Sequence, residues 1–102
     1  KKIMKFKDLK FKKQCEAVEG IHHIQAWADF PNGFEVSVVK SFCSYGGRQG
    51  LYEIGVFKDG IMCDPLGWGD DVKGWLKPED VEQELASIRA LESTNPIVDH
   101  LK

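Results

Sequence analysis

The sequence predicts an α+β fold, an antiparallel meander of four to five strands with one C-terminal helix packed across one face. Three observations carry this. Two runs of period-two patterning, 21–30 and 34–42, flank Pro31-Asn32-Gly33, residues that favour a tight hairpin. A third such run, 51–57, is closed by a second turn signal, Asp59-Gly60. Val81, Leu85, Ile88 and Leu91 then recur at spacings of four, three and three, the apolar stripe of an amphipathic helix.

Taken in order, Lys5-Phe6-Lys7-Asp8-Leu9-Lys10-Phe11 roughly alternates polar and apolar residues, which predicts a solvated first strand over 3–11. Lysines there would also discourage edge-to-edge pairing with other chains. Residues 12–20 are polar and end in Gly20, which predicts a loop. In 21–30, Ile24, Ala26, Ala28 and Phe30 share one face, and His23, Gln25, Trp27 and Asp29 share the other. In 34–42, Phe34, Val36, Val38 and Phe42 oppose Glu35, Ser37 and Ser41, with Val39 out of phase. Tyr52, Ile54 and Val56 form one face of the next strand, and Ile61-Met62-Cys63 begins a short return. Pro65, Gly67, Gly69 and Gly74 predict an irregular segment over 64–77. A helix over 78–92 follows, opened by Pro78 with Glu79 and Asp80 at the positive end of its dipole. Residues 96–102 are expected to be loose or packed on a partner.

The chain has 102 residues, enough for one domain with one core. With 42% apolar and 29% charged residues it does not have the composition of a disordered chain. No apolar run reaches the roughly 20 residues of a membrane-spanning helix. Lys1 to Lys7 carries positive charge with no apolar core behind it, unlike a secretory leader. Cys15, Cys43 and Cys63 are odd in number and contain no Cys-x-x-Cys pair, so reduced thiols in a cytoplasmic setting are expected, and neither a disulfide scaffold nor a structural zinc site. Net charge is −2, yet residues 1–13 carry +6 and residues 79–92 carry −4. A pI near 5.9 lacks the domain-wide basic footprint of a nucleic-acid binder. One sheet and one helix leave a second sheet face bearing Trp27 and Phe57, which predicts a homo-oligomer.

Few residues carry chemistry. His22 and His23 are adjacent, point to opposite faces of a strand and do not form a chelate from there; His100 lies in the tail. Asp64, Asp70 and Asp71 could bind a divalent metal for a phosphodiesterase or nuclease, although turn residues or a cap explain them more simply. Neither a cofactor nor a bound metal is expected. Two glycine-aromatic loops remain. In Phe42-Cys43-Ser44-Tyr45-Gly46-Gly47-Arg48-Gln49-Gly50, Tyr45 can stack on a ring and Arg48 can make a bidentate contact with a phosphate or carboxylate. The loop, including Gly46 and Gly47, precedes a strand, whereas phosphate-cradling loops precede a helix. In Leu66-Gly67-Trp68-Gly69-Asp70-Asp71-Val72-Lys73-Gly74-Trp75, the tryptophans can anchor a partner. Trp75 is expected to turn into the core, and Trp68 to cover the sheet edge or face a partner.

Ser44-Tyr45-Gly46-Gly47, Gly50-Leu51-Tyr52-Glu53 and Asp70-Asp71-Val72-x-Gly74-Trp75-Leu76 before an acidic helix resemble small proteins of unassigned function encoded by tailed bacteriophages and prophages, over roughly residues 4–92. The resemblance brings no catalytic residue. It implies a small cytoplasmic, non-enzymatic accessory protein that antagonises a host defence system. Antagonism has two forms. The chain sequesters a small anionic nucleotide-type signal around Tyr45, Arg48 and Trp68, or it docks on a host defence protein, with Glu82 and Glu84 on the helix mimicking nucleic-acid charge. A structural or assembly protein is the remaining expectation from outside that class.

Overall fold

The structure, a computed structural model, describes residues 4–92. The ends of the chain, with the expected loose tail at 96–102 and the first residues of the basic arm, lie outside the described residues. Six strands form one antiparallel sheet: β1 (Lys12–Val18), β2 (Ile21–Asp29), β3 (Phe34–Lys40), β4 (Tyr52–Lys58), β5 (Ile61–Cys63) and β6 (Val72–Leu76). Strands β1 to β5 run in sequence order, and one helix, α1 (Pro78–Arg89), follows β6. The α+β meander with a C-terminal helix is therefore observed, with one more strand than the sequence predicts.

The extra strand explains the architecture of the candidate loops. β5 pairs with Val56–Lys58 and β6 pairs with the Tyr52–Gly55 half of β4. Since β3 occupies the other side of β4, both short strands share its outer side, and residues 64–71 loop out between them. Glycine-rich sequence concealed β6, because three of the four glycines and prolines that predicted irregularity stand in the connecting loop and only Gly74 lies within the strand.

The core lies between the helix and one sheet face. Ala26, Ala28, Val36, Val38, Ile54 and Val56 point to that face and are buried against Val81, Leu85 and Ile88. Each valine, leucine and isoleucine among them contributes about 1.5–3 kcal/mol on leaving water. The helix starts at Pro78, as its sequence requires, and Asp80 accepts a hydrogen bond from the Lys77 N–H at 3.1 Å. Its other end is held by an unforeseen contact. Asn32, placed in the hairpin turn for its conformational tolerance, is buried; its Nδ2 donates to the carbonyls of Ile88, Arg89 and Leu91 at 2.8, 3.2 and 2.8 Å. Its Oδ1 accepts from the Phe34 N–H. One amide thus satisfies carbonyls that a helix C-terminus leaves open, and it ties the β2–β3 turn to α1.

The N-terminal expectations are corrected. Residues 3–11 do not form a strand, and 12–20 do not form a loop. Phe6–Asp8 is a 3₁₀ turn, closed by the Lys5 N–H on Asp8 Oδ2 at 2.9 Å, and the strand begins at Lys12. Met4, Phe6, Leu9 and Phe11 pack onto the core. Their uneven spacing suits a strap crossing the helix better than a pleated strand. The Phe6 N–H donates to Glu82 Oε2 at 2.6 Å, and Phe6, Phe11 and Tyr52 form an aromatic triangle with centroids 5.0–5.6 Å apart. β1 escaped recognition because every one of its residues is exposed, so neither face selects apolar side chains. It joins β2 through Glu19 and Gly20, both at positive φ, the geometry of a tight hairpin turn. The β1–β2 hairpin extends past the helix-covered core and the chain measures 53 Å in its longest dimension.

Candidate functional site

Two glycine-aromatic loops, 30 residues apart in sequence, meet at the outer edge of β6. The irregular pairing of β6 with β4 is the cause. Lys73 lies opposite Ile54 and Leu76 opposite Tyr52, so β6 has a bulge at Gly74 and Trp75. The bulged Trp75 takes φ +61°, a left-handed conformation rare for a bulky side chain. Its N–H donates to the Tyr45 carbonyl at 3.1 Å. A Cβ at Gly74 would overlap the Cβ and carbonyl of Tyr45, so the two backbones touch where no other residue fits. The Tyr45 N–H donates to Glu53 Oε1 at 2.7 Å, fixing this loop to β4 as well.

The product is a ledge of aromatic side chains on a rigid backbone. Trp75 is 59% exposed and Tyr45 56% exposed. Together with Trp68, Asp70, Val72, Lys73 and Gly74 they line an open cavity of about 430 Å³. The expectation that Trp75 turns into the core is corrected; the bulge turns it outward, and Trp68 is the tryptophan that packs against the core. Glu84 anchors the inner side of the cavity. Its carboxylate accepts from Trp68 Nε1 at 3.3 Å and from Lys73 Nζ at 2.6 Å, with its side chain only 17% exposed. Lys73 also lies 6.0 Å from the Trp68 ring centroid.

Glu82 and Glu84 therefore do not form the acidic surface expected of a nucleic-acid mimic. Glu82 receives the Phe6 N–H, and Glu84 holds Trp68 and Lys73.

The structure separates the expected site residues. It brings Tyr45 and Trp68 together at the ledge. Gly46 and Gly47 are buried behind it and shape the 42–50 turn. Arg48 stacks on Phe42, with its guanidinium carbon 4.0 Å from the ring centroid, and lines a different cavity beside the β1–β2 hairpin. Sequence reasoning missed the role of Lys73 and the outward Trp75, because both depend on a bulge that depends in turn on β6.

The three aspartates also divide. Asp64 Oδ1 and Oδ2 accept from the N–H groups of Trp68 and Gly69 at 2.7 and 2.8 Å, which folds the loop back on itself. Asp70 Oδ1 accepts from the Asp71 N–H, and both residues are exposed. No group of three or more His, Cys, Asp or Glu side chains is arranged to hold a metal ion among the described residues. Cys15 and Cys43 are exposed free thiols. Burial pushes the Cys63 thiol above its ordinary pKa; Lys58 opposes the shift and Asp64 adds to it. Among the described residues no helix is long and apolar enough to cross a membrane.

Comparison of the chain with family models, with curated proteins and with solved structures found no match.

Proposed function

We propose that this chain is a non-enzymatic binding protein of phage origin that antagonises a host defence system by docking on a defence protein through the Tyr45–Trp75 ledge. The observation that carries the reading is Trp75. A bulky residue in left-handed backbone carries a conformational cost, and here the side chain remains 59% exposed. What the strained conformation gains is an aromatic ring facing solvent beside a second one. Tryptophan and tyrosine on a rigid backbone are the residues that dominate protein interfaces, since they supply large contact area with little entropy to lose.

The phage and defence context rests on the resemblance of residues 44–53 and 70–76. Docking is favoured over a ligand pocket of Tyr45, Arg48 and Trp68, because Arg48 belongs to another cavity of the same chain. A non-catalytic role is favoured by the employment of Asp64 in its own loop. The open sheet face, where Trp27 is 53% exposed and packs against Phe57 with ring centroids 5.3 Å apart, supports a homo-oligomer.

The test is expression in bacterial strains that each carry one defence system, challenged with phage that the system blocks. Wild-type chain is expected to restore plating in at least one strain and to co-purify with a protein of that system. A Tyr45→Ala variant of unchanged thermal stability is expected to lose both. Plating restored equally by Tyr45→Ala and by wild type would reject the ledge, and no rescue in any strain would reject defence antagonism.

A further inference from the structure

We propose that the cleft between the β1–β2 hairpin and the 42–50 turn is a binding site for a small phosphate-bearing anion of mononucleotide size. This site is separate from the aromatic ledge and does not depend on the docking reading. The cleft has a volume of about 340 Å³, and its lining brings Lys13, His22, Lys40 and Arg48 together over Ile21 and Ile24. Small-molecule sites of this kind begin at about 300 Å³.

The strand register creates the cluster. Lys13 lies opposite Ile24, and Ile24 opposite Lys40, so the two lysines flank one isoleucine on the same sheet face. Their Cα atoms are two strand spacings apart, about 10 Å. Lys40 Nζ lies 5.2 Å from the centroid of the Tyr52 ring on β4, so Lys13 and Arg48 make the direct phosphate contacts and Lys40 adds its charge from the far side of Ile24. Arg48 enters from the turn. Its guanidinium stacks by one face on Phe42, which leaves the in-plane N–H groups available for bidentate contact with phosphate oxygens. Ile21 and Ile24 offer an apolar floor for the remainder of the ligand.

Charge makes the arrangement informative. The chain as a whole has a net charge of −2, yet no carboxylate lines this cleft. The single ion pair among the described residues is Lys73–Glu84, so Lys13, Lys40 and Arg48 have no carboxylate partner there, and Lys40 is held only by the face of the Tyr52 ring. Glu16 lines an adjoining groove with Lys13 and His22 and pairs with neither. Like charges lining one cleft without a counter-charge raise the local positive potential, and an anion relieves it.

The test is titration of the full chain with inorganic phosphate, pyrophosphate, AMP and uncharged adenosine, followed by amide NMR and calorimetry. AMP and pyrophosphate are expected to saturate, to shift the amides of Lys13, His22, Ile24 and Arg48, and to bind more weakly as salt rises. Adenosine should not bind. Arg48→Ala and Lys13→Ala should each weaken AMP binding by about tenfold to a hundredfold, the loss of one charge-assisted contact. Lys7→Ala, which removes the same charge outside the cleft, should leave it unchanged. Thermal melts establish that each variant is folded. No saturation at millimolar AMP or pyrophosphate, or equal losses for Lys7→Ala and Arg48→Ala, would overturn the site. A single-stranded oligonucleotide binding far more tightly than AMP would replace the small ligand with nucleic acid.

Discussion

The two ends of the sheet offer opposite ways of presenting a surface. At the outer edge of β6, aromatic rings stand on a backbone fixed by hydrogen bonds from Trp75 to Tyr45 and from Tyr45 to Glu53, with Glu84 holding Trp68 and Lys73 from beneath. At the opposite end, basic side chains from β1, β2, β3 and the 42–50 turn gather beside the β1–β2 hairpin, of which one strand is exposed throughout. The first site is aromatic, with its one ion pair satisfied within the chain, and the second is cationic with no carboxylate in its lining. Buried side chains set the stability of the helix-covered region, and the hairpin adds surface with little cohesion of its own.

Core truncation gives the largest contrast. Leu85→Ala, at a site 1% exposed, is expected to cost about 2–5 kcal/mol in urea unfolding. Val18→Ala on the hairpin, where the side chain is already solvated, should stay within about 0.5 kcal/mol. Similar costs at both positions would mean that the hairpin is packed in solution, as an oligomer would pack it. Gly74→Ala is the next step down. The added methyl has no room against Tyr45, so the ledge must open, at about 1–3 kcal/mol, and the Trp75 emission should change. An unaltered spectrum would show that the two loops do not touch. Thiol labelling is the gentlest probe. Cys15 and Cys43 should react first, and Cys63 more slowly, because burial leaves less of it as thiolate at neutral pH. If Cys63 reacts as fast as Cys15, then β5 is open.

The contrast between the ends also explains how far the sequence could be read. β2, β3, β4 and α1 were legible, since one face of each is buried and the periodicity of Ala26–Ala28, Val36–Val38, Ile54–Val56 and Val81–Leu85–Ile88 records it. β1 was illegible for the opposite reason, as a strand solvated on both faces has no pattern to show. β6 was hidden by Gly74, which serves a contact between two loops and says nothing about strand formation until both are placed. The candidate site was legible in composition but not in geometry. Tyr45 and Trp68 could be nominated as aromatic residues among glycines, whereas the outward turn of Trp75 depends on a register irregularity between β4 and β6. The role of Asn32 was invisible likewise, since its three carbonyl partners lie 56 to 59 residues away.

One substitution tests the proposal that Trp75 is held in its conformation for binding and not for folding. Trp75→Gly removes the ring and permits the left-handed backbone. Relief of about 1–2 kcal/mol of strain opposes about 0.5–1 kcal/mol of added chain entropy, so the urea midpoint should move little. The decisive measurement is phage plating on a defended strain that wild-type chain sensitises, with the Trp75→Gly urea midpoint measured in parallel. The expected result is an unchanged midpoint with rescue of plating abolished. A folded Trp75→Gly variant that rescues plating as well as wild type would contradict it.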